Sequence, residues 1–182
     1  MSHIFDEKKF KKLDSPERRK ALPVEEVLAA LPTTKGSIAD VGCGIGYFSF
    51  PFAEVFNQVH AIDISQIMLD ELKRRSTRDN IQVGLGDFND LLSDASMDVF
   101  FTATVIHELD DLKGFTASAI QKLKDDGYLA YLDFKKIEGT MGPDVDKRIA
   151  QESVEELFRD LGLKEIEAHS IKDVFYLVIG KK

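Results

Sequence analysis

Three glycines at alternate positions, within the segment 40–46, carry the most chemical information in the sequence. Gly42, Gly44 and Gly46 follow a short apolar run and precede an aromatic-rich helical pattern, which is typical of a strand that turns into a helix around a ligand. Glycine suits such a turn because it adopts positive φ and lets a ligand approach the backbone. The N–H groups at the start of the helix favour carboxylates and phosphates. A dinucleotide is disfavoured, because its fingerprint is G-x-G-x-x-G and Tyr47 stands at the position of the last glycine.

Polar residues also follow the later apolar runs of the chain. Four successive apolar runs each end at or just before a polar residue, namely Asp40, Asp63, Asp87 and Thr102. Ligands of open α/β sheets bind beyond the carboxyl ends of the strands, so these residues are expected to share one site. Asp63 lies about twenty residues after the glycines, where a carboxylate can accept both hydroxyls of a ribose. A helix N-cap is the alternative role for Asp63, although Ser65 suits that role better.

Alternating β-rich and helical runs from Ser37 onward predict a parallel sheet flanked by helices. The predicted strands are 37–42, 58–63, 81–85, 97–102, 127–134, 163–169 and 173–180. The predicted helices between them are 46–56, 65–76, 89–92, 111–124 and 150–161. Ile171 and Lys172 join the last two strands, a link too short for a parallel crossover, so an antiparallel hairpin is expected. The predicted fold class is α/β, a Rossmann-like seven-stranded, mostly parallel sheet with an antiparallel C-terminal hairpin and helices on both faces.

Two short helices are predicted before the sheet. Ser15 is a candidate N-cap with Pro16 in the first turn, and apolar residues at helical spacing predict a second helix from Val24 to Leu31. The chain is expected to form a single domain over 1–182, with an N-terminal helical cap at 1–34 and a core at 35–182.

An aromatic stripe follows the glycines. Phe48, Phe52 and Phe56 recur every four residues and predict a buried helix face. Pro51 conflicts with a straight helix from Gly46, so this helix should start later or be kinked.

Composition excludes several classes of protein. The 24 basic and 32 acidic side chains give a formal net charge of −8, which argues against nucleic acid and favours a small neutral or cationic substrate. Cys43 is the only cysteine, so an internal disulfide and a multi-cysteine metal site are excluded, and a reducing cytoplasm is expected. No run is long and apolar enough for a signal peptide or a membrane span. A basic cluster near the start is interpreted as a solvated helix face and comprises Lys8, Lys9, Lys11 and Lys12.

The segments 40–49, 61–65 and 86–88 resemble the ordered motifs of class I S-adenosylmethionine-dependent methyltransferases. The similarity continues through 98–102 and 123–129 to the closing hairpin, and so covers nearly the whole chain from Ser37 onward. It implies that the cofactor is S-adenosylmethionine and that the product is S-adenosylhomocysteine. No H-E-x-x-H or P-loop pattern occurs, so metal dependence is not indicated.

The resemblance implies a role for each residue near the methionine part of the cofactor. This part would lie over three glycines, namely Gly42, Gly44 and Gly46. Asp40 would orient the amino group, partly through water, and could also hold the turn. A backbone carbonyl of Thr102 or Ala103 would lie near the ammonium. Cys43 would be a small buried filler of the loop rather than a reactive thiol.

The resemblance also implies how the nucleoside is held. Asp63 would accept the ribose hydroxyls and Ile64 would pack beside the adenine. Asp87 would accept from the adenine amino group, and Phe88 would offer its backbone N–H to the ring.

Candidate residues for the transfer step lie after the fourth and fifth strands. A sulfonium already activates its methyl group, so alignment of the nucleophile is the main requirement, and a base is needed only for a protonated acceptor. His107 is the candidate base, with a loop-fixing or helix-capping role as the alternative. Asp133 is a secondary candidate at the same edge. Glu108 could bind a cationic substrate or be an ordinary exposed charge.

Three shorter segments, 13–19, 106–109 and 141–143, are similar to a small-molecule subgroup near the ubiquinone/menaquinone C-methyltransferase and arsenite methyltransferase relatives. The single cysteine disfavours arsenite as the substrate. The expected function is methyl transfer from S-adenosylmethionine to a small molecule, covered by the N-terminal helices or by residues 137–148. The alternatives are a catalytically silent cofactor-binding or partner protein and, disfavoured by Tyr47, a nicotinamide-dependent oxidoreductase.

Overall fold

A seven-stranded sheet forms the centre of the molecule. The computed structural model describes residues 13–32, 34–139 and 141–182. Its strands are β1 (Ser37–Val41), β2 (Gln58–Asp63), β3 (Ile81–Leu85), β4 (Met97–Ala103), β5 (Leu123–Phe134), β6 (Lys164–Ile171) and β7 (Phe175–Lys181). The strand order is β3-β2-β1-β4-β5-β7-β6. Strands β1 to β5 are parallel, whereas β7 pairs antiparallel with both β5 and β6. The predicted fold class and the C-terminal hairpin are therefore confirmed.

Helices pack on both faces of this sheet. In the described ranges they are α1 (Pro16–Ala21), α2 (Val24–Ala30), α3 (Ser49–Val55), α4 (Gln66–Arg75), α5 (Phe88–Leu91), α6 (Leu112–Lys122) and α7 (Gln151–Asp160). Ser15 caps α1 as predicted, because its hydroxyl accepts from the Arg18 N–H at 3.2 Å. Helix α3 begins at Ser49 and not at Gly46, which places Pro51 in its first turn, where the missing N–H costs no hydrogen bond.

The fifth strand is longer than the sequence predicts. It begins at Leu123, which pairs with Met97, so the preceding helix ends at Lys122 and not at residue 124. The register shifts between Met97 and Val99 before regular pairing with Tyr128 begins. This irregular start contains Gly127 and several charged residues, a composition that does not indicate a strand.

The sheet is covered by apolar side chains on both faces, as expected of a parallel sheet. On one face, the rings of Phe48 and Phe52 lie 5.0 and 4.9 Å from the ring of Phe101, and all three are almost fully buried. On the other face, Phe100 packs against Phe88 at 5.0 Å between ring centres. The predicted aromatic stripe is thus part of the core.

Strand order reverses between β1 and β4, the position where open α/β sheets bind ligands. The carboxyl ends of β1, β2 and β4 therefore meet at one edge, together with that of β5. The segment from Leu13 to Leu22, called the cap segment below, crosses this edge, and Leu22 is fully buried. The predicted basic cluster, Lys8, Lys9, Lys11 and Lys12, lies outside the described residues. Among the helices that the structure describes, none is long and apolar enough to cross a membrane.

Candidate active site

The glycine loop between β1 and α3 requires residues without a side chain. Gly42, Gly44 and Gly46 have φ values of +75°, +54° and +87°, which L-residues rarely adopt. A Cβ on Gly42 would lie 2.4 Å from Val105 Cγ2, whereas a Cβ on Gly44 would meet only Leu13, at 3.6 Å. Gly42 therefore allows the loop after β4 to pack closely, and Gly44 borders open space beneath the cap segment.

Cys43 is buried within the same loop, and burial raises the pKa of its thiol well above the ordinary value. A thiol in this environment stays protonated, and the thiol is a poor nucleophile compared with the thiolate. The environment agrees with the predicted role of a small filler.

Asp40 is a buried carboxyl group at the end of β1. Its exposed fraction is 2%, and its Oδ2 atom accepts from the Ser49 hydroxyl at 2.5 Å. Burial raises its pKa to about 7, the Ser49 hydrogen bond acts in the opposite direction, and the charge of Asp63 adds to the increase. A cation beside Asp40 would favour the ionised form. The site is therefore chemically suited to an ammonium group.

Asp63 lies at the end of β2 and faces the glycine loop. Its Oδ2 atom accepts from the Gly44 N–H at 2.8 Å and its Oδ1 atom accepts from the Ser65 N–H at 2.9 Å. A carboxylate has about four acceptor positions, so both oxygens can still accept from a ligand. Ser65 caps α4 through its hydroxyl, so the alternative N-cap role of Asp63 is filled by Ser65. The neighbouring Ile64 side chain is 70% exposed, an apolar surface beside the predicted ribose position.

Two further predicted residues lie at the end of β3. Asp87 is exposed and caps α5, with Oδ1 accepting from the Asn89 N–H at 2.8 Å. Phe88 is buried against Phe100 and Phe115, so its side chain belongs to the core and only its backbone can contact a ligand.

Thr102 and Ala103 end β4 beside the glycine loop. Thr102 is fully buried, and its hydroxyl donates to the Val41 carbonyl at 2.8 Å. This bond ties the end of β4 to the end of β1. The side chain of Thr102 thus stabilises the strand ends, and its predicted contact with the ammonium concerns the backbone.

The predicted candidates His107 and Asp133 form a pair. His107 Nδ1 lies 2.8 and 3.0 Å from the two carboxylate oxygens of Asp133, and the His107 backbone N–H donates to Oδ2 at 3.4 Å. The exposed fractions of the two side chains are 8% and 1%. His107 Nε2 lies 3.8 Å from Glu108 Oε1. A carboxylate that accepts from Nδ1–H fixes the tautomer in which Nε2 is a proton acceptor.

His107 and Asp133 are separate candidates in the sequence, because 26 residues separate them and no local motif joins them. Both follow neighbouring parallel strands, β4 and β5. That adjacency is visible only once strand order is known.

Thr104 was missed by the sequence analysis. Its φ is +57°, and a β-branched residue in the left-handed region is a genuine outlier of the kind that clusters at functional sites. The Thr104 N–H donates to the Leu132 carbonyl at 2.8 Å, and its hydroxyl accepts from Arg18 Nη2 at 3.4 Å. Threonine at this position does not indicate a positive φ, since glycine or asparagine usually adopts that conformation.

The cap segment is held over the glycine loop by polar contacts. Asp14 pairs with Arg75 at 2.5 Å and with Arg19 at 2.6 Å, while the Tyr47 hydroxyl donates to the Leu22 carbonyl at 2.6 Å. A cavity of about 170 Å³ lies between this segment and helices α3 and α4, and both Asp14 and Tyr47 line it.

Residues 137–148, the other predicted cover, are held by hydrogen bonds from Arg148 at the end of the segment. Arg148 is buried and donates at 2.7 to 3.0 Å to four backbone carbonyls, those of Lys135, Ile137, Met141 and Pro143. These bonds favour an ordered connection over the mobile cover that the sequence predicts.

The arrangement fits a ligand that joins a nucleoside to a zwitterionic amino acid. Asp40 is a buried carboxyl suited to a cation. Among the residues that the structure describes, only Leu13 lies within 4 Å of a Cβ placed on Gly44, and none pairs with the buried Nε atom of Arg18. S-adenosylmethionine has this composition. The fold and the site together define a class I S-adenosylmethionine-dependent methyltransferase.

A family comparison agrees with this class. The model of the methyltransferase domain family matches residues 39–131, just over half of the chain. The chain belongs to this family. A crystal structure of an S-adenosylmethionine-dependent methyltransferase from Aquifex aeolicus has a TM-score of 0.88 and 26% identity, with 97% of this chain and 98% of that chain covered. The predicted enzyme class and cofactor agree with membership of this family.

Curated relatives match over shorter segments. A malonyl-[acyl-carrier protein] O-methyltransferase from Serratia marcescens is 32% identical over 95 residues, which is 52% of this chain and 36% of the relative. The cypemycin N-terminal methyltransferase of a Streptomyces species is 37% identical over 68 residues, which is 37% of this chain and 28% of the relative. The chain thus spans about a third of the length of the curated relatives it matches.

Proposed function

We propose that the chain transfers the methyl group of S-adenosylmethionine to a small-molecule acceptor that is protonated when it binds. The observation that carries this proposal is the His107–Asp133 pair, which lies at the ends of β4 and β5 beside the glycine loop. When bound, the cofactor supplies an electrophilic methyl group on a sulfonium. The chain has to hold the acceptor in line with that group, exclude water and remove a proton.

The cofactor-binding residues of the proposal are those named from the sequence. The methionine part is assigned to the glycine loop with Cys43, to Asp40, and to the backbone at Thr102 and Ala103. Asp63 and Ile64 are assigned to the ribose and adenine. Asp87 and the Phe88 N–H are assigned to the adenine edge. Support comes from their common location at one sheet edge and from the geometry described above.

His107 is assigned the role of general base and Asp133 that of its positioning residue. The carboxylate holds Nδ1 at 2.8 Å, so Nε2 can accept a proton from an amine, phenol or alcohol as the methyl group is transferred. Asp133 also accepts from the Phe134 N–H at 2.7 Å, which fixes its own orientation.

The acceptor is proposed to be a small molecule. The net charge of −8 agrees with a neutral or cationic acceptor. The names of the partial relatives refer to malonyl-[acyl-carrier protein] and to the N-terminus of cypemycin, so a carrier-bound acyl group and a peptide N-terminus are the other acceptor classes to test. Kinship with the ubiquinone/menaquinone C-methyltransferase subgroup, a cytoplasmic location, and a single domain over 1–182 with a cap at 1–34 stay predictions.

Label transfer tests the proposal. The protein is incubated with a small-molecule extract and methyl-labelled S-adenosylmethionine, and labelled products are identified by mass spectrometry. A labelled metabolite that disappears with His107→Ala supports the proposal. Cofactor binding without any labelled product, in extracts that also contain peptides and carrier proteins, would favour the silent cofactor-binding protein instead.

A further inference from the structure

Arg18 is a cation at the site that the described residues leave underused. Its Nη2 atom makes one long hydrogen bond, 3.4 Å to Thr104 Oγ1, and its Cζ atom lies 5.4 Å from the centre of the Tyr47 ring. Its Nε atom is buried and has no hydrogen-bond partner among residues 13–32, 34–139 and 141–182. A guanidinium has five N–H donors, and a buried donor without an acceptor is costly. Arg18 therefore keeps donor capacity that the described residues do not use and that an acceptor would satisfy.

The other arginines near the cap segment are already paired. Arg19 and Arg75 both form ion pairs with Asp14, whereas Arg18 forms none with the residues that the structure describes. Burial lowers the pKa of Arg18, and the charges of Tyr47, Asp14 and Asp133, in that order, oppose this decrease. Within the described part of the chain, the positive charge of Arg18 thus interacts with acidic groups without a direct ion pair.

The neighbours of Arg18 place it at the methionine end of the cofactor site. Tyr47 directly follows the last glycine of the loop, and Thr104 directly follows Ala103, whose backbone is assigned to the ammonium. The methionine part carries its ammonium and its carboxylate on the same carbon atom. If Asp40 and the end of β4 hold the ammonium, the carboxylate lies within a few bonds of them, and Arg18 contacts Thr104 in the same region.

We propose that Arg18 binds the carboxylate of the methionine part of S-adenosylmethionine, so that the cap segment closes on the cofactor through this ion pair. The inference rests on the cofactor assignment of the site. A guanidinium matches a carboxylate in planar, two-bond geometry, which uses the free Nε donor. Cofactor affinity and the position of the cap segment are then linked.

A pair of ligands isolates the carboxylate. S-adenosylmethionine and its decarboxylated form share the nucleoside, the sulfonium and the ammonium, and differ only in the group that Arg18 is proposed to bind. Binding of each is measured by isothermal titration calorimetry to the wild-type chain, to Arg18→Gln, and to Lys20→Gln. Lys20 is exposed on the same helix and serves as the matched loss of charge.

The wild-type chain is expected to bind S-adenosylmethionine roughly 10- to 100-fold more tightly than the decarboxylated form, the range for a charge-assisted hydrogen bond. Arg18→Gln should lose most of this preference while its affinity for the decarboxylated form stays within a few fold of wild type. Lys20→Gln should keep the wild-type ratio. Arg18→Lys should retain part of the preference, since it keeps the charge and loses the planar fork.

Three results would overturn the proposal. Equal affinity of the wild-type chain for S-adenosylmethionine and its decarboxylated form would show that the carboxylate is not bound. Arg18→Gln with an unchanged preference and a raised KM for the acceptor would place an anion of the acceptor at Arg18. If Arg18→Gln lost affinity equally for both ligands, Arg18 would have a purely structural role. Arg18→Lys repeats the comparison if Arg18→Gln fails to fold. Failure of the wild-type chain to bind either ligand would contradict the cofactor assignment itself and is distinct from all three.

Discussion

At the scale of single residues, the chemistry depends on groups whose environment selects one state. His107 has Nδ1 held by a carboxylate that is 1% exposed, so its two ring nitrogens have different roles. Asp40 is held in a buried environment that raises its pKa to about 7. Thr104 is held at a φ of +57° by its bonds to Leu132 and Arg18. Each of these states depends on partners that are distant in sequence.

Replacement of the His107–Asp133 pair should separate catalysis from cofactor binding. His107→Ala is expected to lower kcat about 10²- to 10⁴-fold, the range for a general base, with S-adenosylhomocysteine affinity within a few fold of wild type. Asp133→Asn should also lower kcat, because an amide no longer selects the tautomer with a free Nε2 acceptor. Steady-state kinetics and calorimetry measure the two quantities. Unchanged turnover in both variants would make the pair a structural element of the loop.

The pKa of Asp40 predicts how cofactor affinity depends on pH. Below about pH 7 this carboxyl is protonated, and above it the carboxylate can pair with the methionine ammonium. Affinity for S-adenosylhomocysteine should therefore increase as pH rises through 7, and Asp40→Asn should remove that dependence. Titrations between pH 5.5 and 8.5 test this. An increase in affinity toward low pH would contradict the assignment of the ammonium to Asp40.

The same raised pKa affects stability without a ligand. The unfolded chain loses the Asp40 proton near its ordinary pKa of about 4, whereas the folded chain keeps it up to about pH 7. The contribution of Asp40 to stability therefore decreases as pH rises between these values. Urea unfolding measures the free energy of unfolding of Asp40→Asn relative to that of wild type. This difference should favour the variant more at pH 8 than at pH 5.5. Equal differences at the two pH values would show that the Ser49 hydrogen bond compensates the buried charge fully, and the opposite trend would show a lowered pKa of Asp40.

At the scale of elements, the site is made by strand ends and the loops that follow them. The glycine loop, the end of β4 and the cap segment contact one another through Gly42, Val105 and Leu13. Much of this level could be predicted. The alternation of apolar runs gave the strands of the parallel sheet, and the Phe48, Phe52 and Phe56 spacing gave the buried face of α3.

Element boundaries were less predictable, for physical reasons. Helix α3 starts at Ser49 because the loop geometry of Gly44 and Gly46 extends into the predicted helix. Strand β5 starts at Leu123 because pairing with Met97 outweighs the weak strand preference of the charged residues that follow. Tertiary pairing decided both cases, and local composition does not encode it.

Two glycines of the loop should respond differently to the same substitution. Both positions have a positive φ. A Cβ in Gly42→Ala would lie 2.4 Å from Val105, whereas a Cβ in Gly44→Ala would meet Leu13 at an ordinary contact distance of 3.6 Å. A left-handed conformation costs an L-residue about 1–2 kcal/mol, so Gly44→Ala should lose roughly that free energy of unfolding and Gly42→Ala more. Denaturant unfolding measures both. Gly44→Ala should nevertheless weaken cofactor binding, and equal stability losses would contradict the described packing of Val105.

At the scale of the whole molecule, the sheet brings together residues from across the chain. Strand order places β4 between β1 and β5, so the glycine loop, Thr104 and the His107–Asp133 pair share one edge. The cofactor half of the site follows from ordered sequence motifs and could be predicted. The pairing of His107 with Asp133 and the contact of Arg18 with Thr104 could not, because each depends on which strands and helices become neighbours.

Binding of S-adenosylhomocysteine to the chain without any acceptor tests the central claim most directly. Calorimetry should show one equivalent bound to wild type and at least a tenfold weaker affinity for Asp63→Ala, which removes the ribose acceptor. At a ligand concentration of 100 times Kd, the wild-type free energy of unfolding should rise by about 2.7 kcal/mol. Absence of both binding heat and stabilisation, or full affinity in Asp63→Ala, would contradict the assignment of this sheet edge as the cofactor site.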